Sequence, residues 1–489
     1  MNRIINGWRS DKLKTALTIS WLLTVFFSFF GSAIQLADIP GIGVLYPFRI
    51  LLPITAGLYF AWSIREKRNL WKYASFTQRV CYVLCAILVV HSGLSLFWAI
   101  DSMFTFRMFF NLCFDLVLFF LMLDLCSDRQ LFIDTIHCIL ISFLIQIALG
   151  IAEVFFGSFF NPKYGAFRGF SLSLVGHQVP LVATDNQNDY SMMLIFGLAL
   201  LLIYWAWYRQ TKKCDWIPVV LFAPIYFLTC VAEARLCWLT FWILFAGFVC
   251  YVLSLGGKQR WILLLTVLLL LVSVFRIHHE SILSGINTLL PTASAQGTES
   301  VVSEETDEIS EAKQPPIVPG FDDLKSEFFE IDEETGEVRL NRTLSGGNRL
   351  ALLLHAWDCF VQSKGMGVGL GNTEQLTGVN WKMVWDIHCF LARMGADFGI
   401  WFLIPMFVIA FKMLQFGFEC FQRGRKSRNW TRSMFGVLYL TAVVVYPIAS
   451  CSPGDAQDAL IMWLFLAGMV LFPVHMKKAE YPDGVEQLC

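Results

Sequence analysis

The chain has 489 residues, of which 56% are hydrophobic, 15% aromatic and 15% charged, with a mean hydropathy of +0.59. That balance excludes a set of water-soluble domains and describes a chain whose solvent is mostly lipid. A net charge of -1 gives no basic field for nucleic acid, and the fourteen cysteines, most of them inside apolar runs and without metal-ligand spacing, read as small buried hydrophobes.

Residues 1–14 carry Arg3, Arg9, Lys12 and Lys14 ahead of an apolar run too long for a signal-peptide core, which predicts a retained start-transfer anchor rather than a cleaved leader. Apolar runs then recur at 17–37, 41–64, 80–98, 106–123, 132–157, 189–207, 217–233, 236–255, 261–276, 388–411, 434–450 and 458–475. Each is long enough to cross the hydrocarbon core, about 30 Å thick, as a helix. The prediction is an all-α polytopic membrane protein with about twelve transmembrane helices. Basic residues gather in "REKRNLWK", "SDRQ", "YRQTKK", "GGKQR", "FQRGRKSRNWTR" and "HMKK", whereas the alternate loops "LADIPGIG" and "SCSPGDAQ" hold no Lys or Arg. By the positive-inside rule both termini are expected to be cytoplasmic.

Within this frame, residues 1–276 form the first nine spans, 277–387 a large extracytoplasmic loop, and 388–489 the last three spans and the C-terminus. Ionisable groups in or beside spans are costly enough to be candidate functional groups. In chain order, Lys163, Arg168 and His177 precede "TDNQNDYSMM", where Asn186 and Asn188 read as part of an N-cap cluster opening the sixth span. Glu233 and Arg235 occupy the very short hairpin "VAEARLCW" at the outer interface; the alternative to an anion site there is a local pair with a snorkelling arginine.

The large loop begins acidic and poor in apolar residues around 296–338, so that part is expected to stay mobile. "FFEIDEETGEVRL" alternates about a Glu-Thr-Gly turn and predicts a hairpin. Leu350, Leu353, Leu354, Trp357 and Val361 recur at helical spacing, predicting an amphipathic helix over about 349–363 lying on the outer membrane surface. Arg349 stands at its N-terminus, where a cation opposes the helix dipole unless an anion sits nearby; a solvated loop arginine is the alternative. "GMGVGLGN", with Gly369 and Gly371, lacks the P-loop Lys-Ser/Thr and reads as a tight turn bringing backbone close to a ligand.

The tenth span opens with "DIHCFLARMGADFG". Topology brings Asp386 and His388 to its outer mouth, where a neutral imidazole can take up a proton near pH 7. Ala392, Gly395 and Gly399 share the His388 face and permit close approach by a helix or a substrate chain. Arg393 and Asp397, spaced i, i+4, are expected to neutralise one another. No metal-binding motif appears in the sequence.

The order "GGNRLALLLHAWDCFVQSKGMGVGLGN" followed by "DIHCFLARMGADFGIWF" resembles the O-antigen ligase and O-antigen polymerase family of bacterial membrane glycosyltransferases. Arg349, Gly367, Gly369, Gly371, His388, Leu391 and Gly399 match the family pattern, Arg235 falls at its outer-hairpin arginine, and Cys389 stands where the family usually has Asn. The resemblance implies a GT-C-like architecture without metal or other cofactor. It implies transfer of glycan from an undecaprenyl-diphosphate carrier to an acceptor glycan or lipid at the outer face of the bacterial cytoplasmic membrane. It makes His388 the general base and Arg235 and Arg349 the diphosphate ligands, with Glu233, Asn186, Asn188, Gly369, Gly371 and Asp386 in support. A polymerase of capsule, O-antigen or teichuronic acid, acting with a chain-length regulator, is favoured over a ligase. A polysaccharide flippase or secondary transporter is the alternative of a different class.

Overall fold

Local sequence explains where the first six helices begin. The computed structural model describes residues 11–31, 34, 36–39, 43–157, 169–171, 176–178, 180–184, 187–209, 217–232, 234–255, 261, 263–269, 271–273, 329–331, 338–340, 345–376, 389–451 and 460–480. Helix α1 (Lys12–Ser28) is capped by the Asp11 side chain, and α2 (Pro47–Arg65) starts on a proline, whose missing N–H is one that no helix satisfies at that position. The short α3 (Leu70–Tyr73) is capped by Asn69. Ser75 and Gln78 form a reciprocal capping box on α4 (Phe76–Ser95). Asp101 and Asp128 each accept two backbone N–H groups at the starts of α5 (Ser102–Leu125) and α6 (Arg129–Phe156).

The chain continues through α7 (Gln187–Arg209), α8 (Ile217–Val231), α9 (Arg235–Leu253), α10 (Ser345–Gln362) and α11 (Asn372–Gln375). It ends with α12 (Phe390–Phe398), α13 (Ile400–Lys426), α14 (Trp430–Ala449) and α15 (Leu460–Glu480). Among the described residues, three antiparallel hairpins of three-residue strands accompany them: β1 (Ala37–Ile39) with β2 (Gly43–Leu45), β3 (Gly169–Ser171) with β4 (Gly176–Gln178), and β5 (Phe329–Ile331) with β6 (Val338–Leu340).

The protein is an all-α polytopic membrane protein. Among the described residues, eight helices are long and apolar enough to cross a bilayer, and shorter apolar helices stand at Val220–Val231, Leu263–Ser273 and Leu460–Met476. Phe60, Val90 and Phe407 lie exposed on the outside of the bundle, as suits a surface solvated by lipid tails. The hairpin expected around the Glu-Thr-Gly turn is formed, with Glu330 opposite Arg339. The amphipathic helix is also present, starting at Ser345 rather than 349. Most of the acidic stretch, 296–328, lies outside the described residues.

Helix α7 forms the axis of the core. It is buried from Tyr190 to Trp207 and packs against α6, α8, α9, α14 and α15. Hydroxyls and indoles join the helices where hydrocarbon offers no competing partner. Ser20 and Thr24 meet Thr55 at 2.6 and 2.8 Å, Trp21 Nε1 donates to Thr135 Oγ1 at 2.9 Å, and Tyr439 OH donates to Met469 O at 2.6 Å. Of the cysteines in apolar runs, Cys81, Cys85, Cys230 and Cys237 are buried as expected, whereas Cys113 and Cys138 are partly so and Cys250 is exposed.

One span departs from the sequence reading. The apolar run 388–411 is not a single helix: α12 stops at Phe398, Gly399 adopts φ 62° and ψ -143°, and α13 starts at Ile400 and runs on to Lys426. Gly399 N closes α12 by donating to Gly395 O, while Ile400 N donates to Gly365 O at 2.8 Å. The break is therefore stabilised by a partner segment distant in sequence. Helix α12 and its charges fall outside the spanning helix.

Side-chain contacts fix the relative directions of the helices. Tyr251 of α9 bonds Ala206 O near the end of α7, and Tyr446 near the end of α14 stacks on Phe196 in the first half of α7. The starts of α7 and α9 thus lie at the pole where α14 ends. At that pole Phe390 N donates to Ser450 O, so α12 belongs there too. At the opposite pole Arg65 pairs with Asp11, Arg68 pairs with Asp124 at 3.0 Å, and His475 Nε2 meets Cys126 O at 2.7 Å.

Candidate functional site

The pole built by α10, α11 and α12 is organised around a carboxylate. Asp397 is fully buried. Its Oδ2 accepts from Gly371 N at 3.2 Å, and its Oδ1 accepts from Thr373 Oγ1 at 2.5 Å and Thr373 N at 3.4 Å. Burial pushes this carboxyl up, opposed by the pull of Arg393, Thr373 and Gly371. Arg393, 2% exposed, forms an ion pair with Glu374 Oε1 at 2.9 Å. Arg393 and Asp397, expected to neutralise one another, are not joined by an ion pair; Arg393 acts on Asp397 only through its field, and each takes a direct partner from the segment 371–374. A buried charge requires such partners, since leaving one unpaired is strongly destabilising.

The Gly-rich turn is what brings those partners in. Val368 N and Gly369 N donate to Ala396 O and Asp397 O at 2.9 and 3.0 Å. Gly367 has φ 89°, and a Cβ there would run into the backbone of Asp397 and Phe398; one on Gly399 would run into the backbone of Gly365 and Met366. The close approach expected for a ligand is thus used to seat one backbone against another. Gly369 and Gly371 have buried, left-handed positions against Trp98 and Phe104, and support the loop rather than line a cleft. The face of Ala392, Gly395 and Gly399 is likewise occupied: Gly395 faces Leu403 and Gly399 faces the turn.

The turn also ties in the α4–α5 hairpin. Trp98 Nε1 donates to Val368 O at 3.1 Å, Ile100 N to Asn372 Oδ1 at 3.1 Å, and Thr105 Oγ1 to Leu370 O at 3.2 Å. From α10, His355 Nε2 lies 2.9 Å from Thr373 O. Burial pushes the His355 imidazole down, so at neutral pH it is uncharged and its Nε2–H donates to that carbonyl. A continuous path of hydrogen bonds thus runs from α10 through Thr373 to Asp397 on α12. Sequence reasoning missed His355, Asn372, Thr373 and Glu374. The "GNTEQ" following the glycines was the available signal, a run of short polar side chains able to bond nearby backbone.

Of the predicted site residues, Arg235 is the exposed first residue of α9, at the same pole as α12. Arg349 lies in the first turns of α10, the helix that carries His355. Asn188 is in the first turn of α7, also at this pole. His388, Asp386, Glu233 and Asn186 lie outside the described residues. His388 directly precedes Cys389, the N-cap of α12. The buttress itself is closed and fully partnered; its chemical use is to hold α10 and α12 at a fixed spacing, since residues borne on locked elements keep their geometry.

No family model matches the chain. Over 150 residues it is similar, at 27% identity, to the teichuronic acid biosynthesis protein TuaE of Bacillus subtilis (strain 168). The match spans 29% of this chain and 30% of that protein.

Proposed function

We propose that the protein takes part in surface-polysaccharide biosynthesis in a bacterial cytoplasmic membrane, as a polymerase moving glycan from an undecaprenyl-diphosphate carrier to a sugar hydroxyl. The observation that carries this reading is the similarity to a teichuronic acid biosynthesis protein. The order of Arg349, the Gly-rich turn and His388 supports it. On this reading the chain crosses about twelve times with a GT-C-like arrangement, both termini are cytoplasmic, and the pole of α10 and α12 faces outward.

His388 takes the proton of the acceptor hydroxyl as general base. The hydroxyl oxygen bonds to the anomeric carbon while the bond from that carbon to the diphosphate oxygen breaks, and the electron pair leaves with the carrier diphosphate. Arg235 and Arg349 offer planar, permanently charged forks to the departing anion, in the place a divalent ion takes elsewhere. A single displacement of this kind inverts the anomeric configuration. The buttress on Asp397 supports this reading by stiffening the helices that carry or adjoin Arg349 and His388.

The test is purified protein incubated with carrier-linked repeats and no other acceptor, in EDTA. A polymer ladder is expected. Product that forms only after a lipid acceptor is added means a ligase, and movement of labelled carrier across a vesicle without a new glycosidic bond means a transporter. His388→Ala is expected to abolish polymer formation with normal membrane insertion; polymer of wild-type length and yield from that variant overturns the general-base role.

A further inference from the structure

Two cysteines meet beside the residue proposed as the base. Cys389, at the N-cap of α12, and Cys451, just beyond α14, are 62 residues apart in sequence with their Sγ atoms 3.0 Å apart, inside the ordinary non-bonded contact of two sulfurs. Their backbones are also joined, because Phe390 N donates to Ser450 O at 3.0 Å. Cys389 is 7% exposed and packs with Ala356, Cys359 and Ala396. Cys451 is less buried and retains access to solvent. Two cysteine side chains held together by a backbone hydrogen bond between neighbouring residues meet the proximity that a disulfide requires.

We propose that Cys389 and Cys451 form a disulfide that fastens the start of α12 to the end of α14. The proposal rests on the outward orientation of this pole but not on the transfer reaction, since disulfides persist in oxidising compartments and not beside cytosolic thiol reductants. The oxidant is the disulfide of an exported thiol oxidoreductase. The Cys451 thiolate, the more accessible, attacks one sulfur of that disulfide and forms a mixed disulfide, expelling a thiolate. The Cys389 thiolate then attacks the Cys451 sulfur and expels the second oxidoreductase thiolate. The two thiols lose two protons and two electrons, and the oxidoreductase disulfide becomes a dithiol. The bridge also gives Cys389 a use at the position where the motif otherwise carries Asn: it anchors the residue following His388.

The test uses the full chain in intact cells. Free thiols are trapped with N-ethylmaleimide before lysis, and the denatured, unreduced protein is digested with trypsin and analysed by mass spectrometry. The expected result is that peptide 383–393 is joined to peptide 433–477 in most of the protein, and that the link disappears on reduction. Both thiols found alkylated, or Cys389 joined to Cys359, overturns the proposal. In Cys389→Ser, a membrane-impermeant maleimide added to intact cells is expected to label Cys451. Labelling only after lysis overturns the outward orientation on which the bridge depends, and is read separately from the polymer assay.

Discussion

The two poles of the bundle handle charge in opposite ways. Where the basic loops gather, helices start on local caps such as Asp11, Ser75 and Asp128, and the arginines of the ion pairs reach water: Arg65 with Asp11 is exposed, and the Arg68 side chain, 21% accessible, pairs with a buried Asp124. At the other pole Asp101 still caps α5, but α12 starts without a side-chain cap and ends at the Gly399 break, and Arg393 and Asp397 are buried with partners drawn from the segment 371–374. Local capping sets helix ends cheaply and tolerates change. A buried, cross-linked cluster fixes separate elements against each other, which is what a site requires and what a connecting loop does not.

That contrast can be broken by substitution. Asp397→Ala leaves the buried Gly371 and Thr373 donors without their acceptor, and is expected to cost about 1–3 kcal/mol for each orphaned donor, read as a large drop in the thermal midpoint of detergent-solubilised protein and loss of any polymer formation. Gly399→Ala comes next, at about 1–3 kcal/mol from backbone strain alone, with the overlap against Gly365 adding to it; a midpoint equal to wild type contradicts the described break. At the opposite pole Asp124→Asn should be milder, about 1–2 kcal/mol, with polymer formation retained. An effect as large as that of Asp397→Ala removes the distinction between the poles.

The smallest expected effect is a response to acid. The Arg65 guanidinium holds Asp11 down at about 2 from an ordinary 3.8. A depressed carboxylate contributes stability fully above its unfolded value and loses it as pH falls through its folded value. Acidification from pH 4 to 2 should therefore weaken this exposed contact, and Asp11→Asn should flatten that part of a midpoint-against-pH curve. A curve unchanged by the substitution removes Asp11 from the comparison.

The spans were readable because hydrophobic length is a local property; the runs at 106–123 and 189–207 foreshadow α5 and α7 without any knowledge of their neighbours. The hairpin of β5 and β6 was readable for the same reason, through alternation about a turn. The break at Gly399 was not, because the residues on either side are apolar enough to continue one helix and the cause lies in Gly365 and Gly367, more than thirty positions earlier. Arg393 and Asp397 had an obvious local pairing in sequence, whereas Glu374 and Thr373 enter only once the glycine turn has folded against α12. Gly369 and Gly371 were recognised as close-approach positions, but the object approached is protein.

The burial of α7 bears on how the protein meets membranes of different thickness. A helix surrounded by five neighbours and buried from Tyr190 to Trp207 has no lipid of its own to match. Hydrophobic mismatch, which ordinary spanning helices relieve by tilting, reaches it only through α6, α8, α9, α14 and α15. Thicker or thinner bilayers should therefore reorient the peripheral helices, such as α2 and α13, while the axis keeps its inclination.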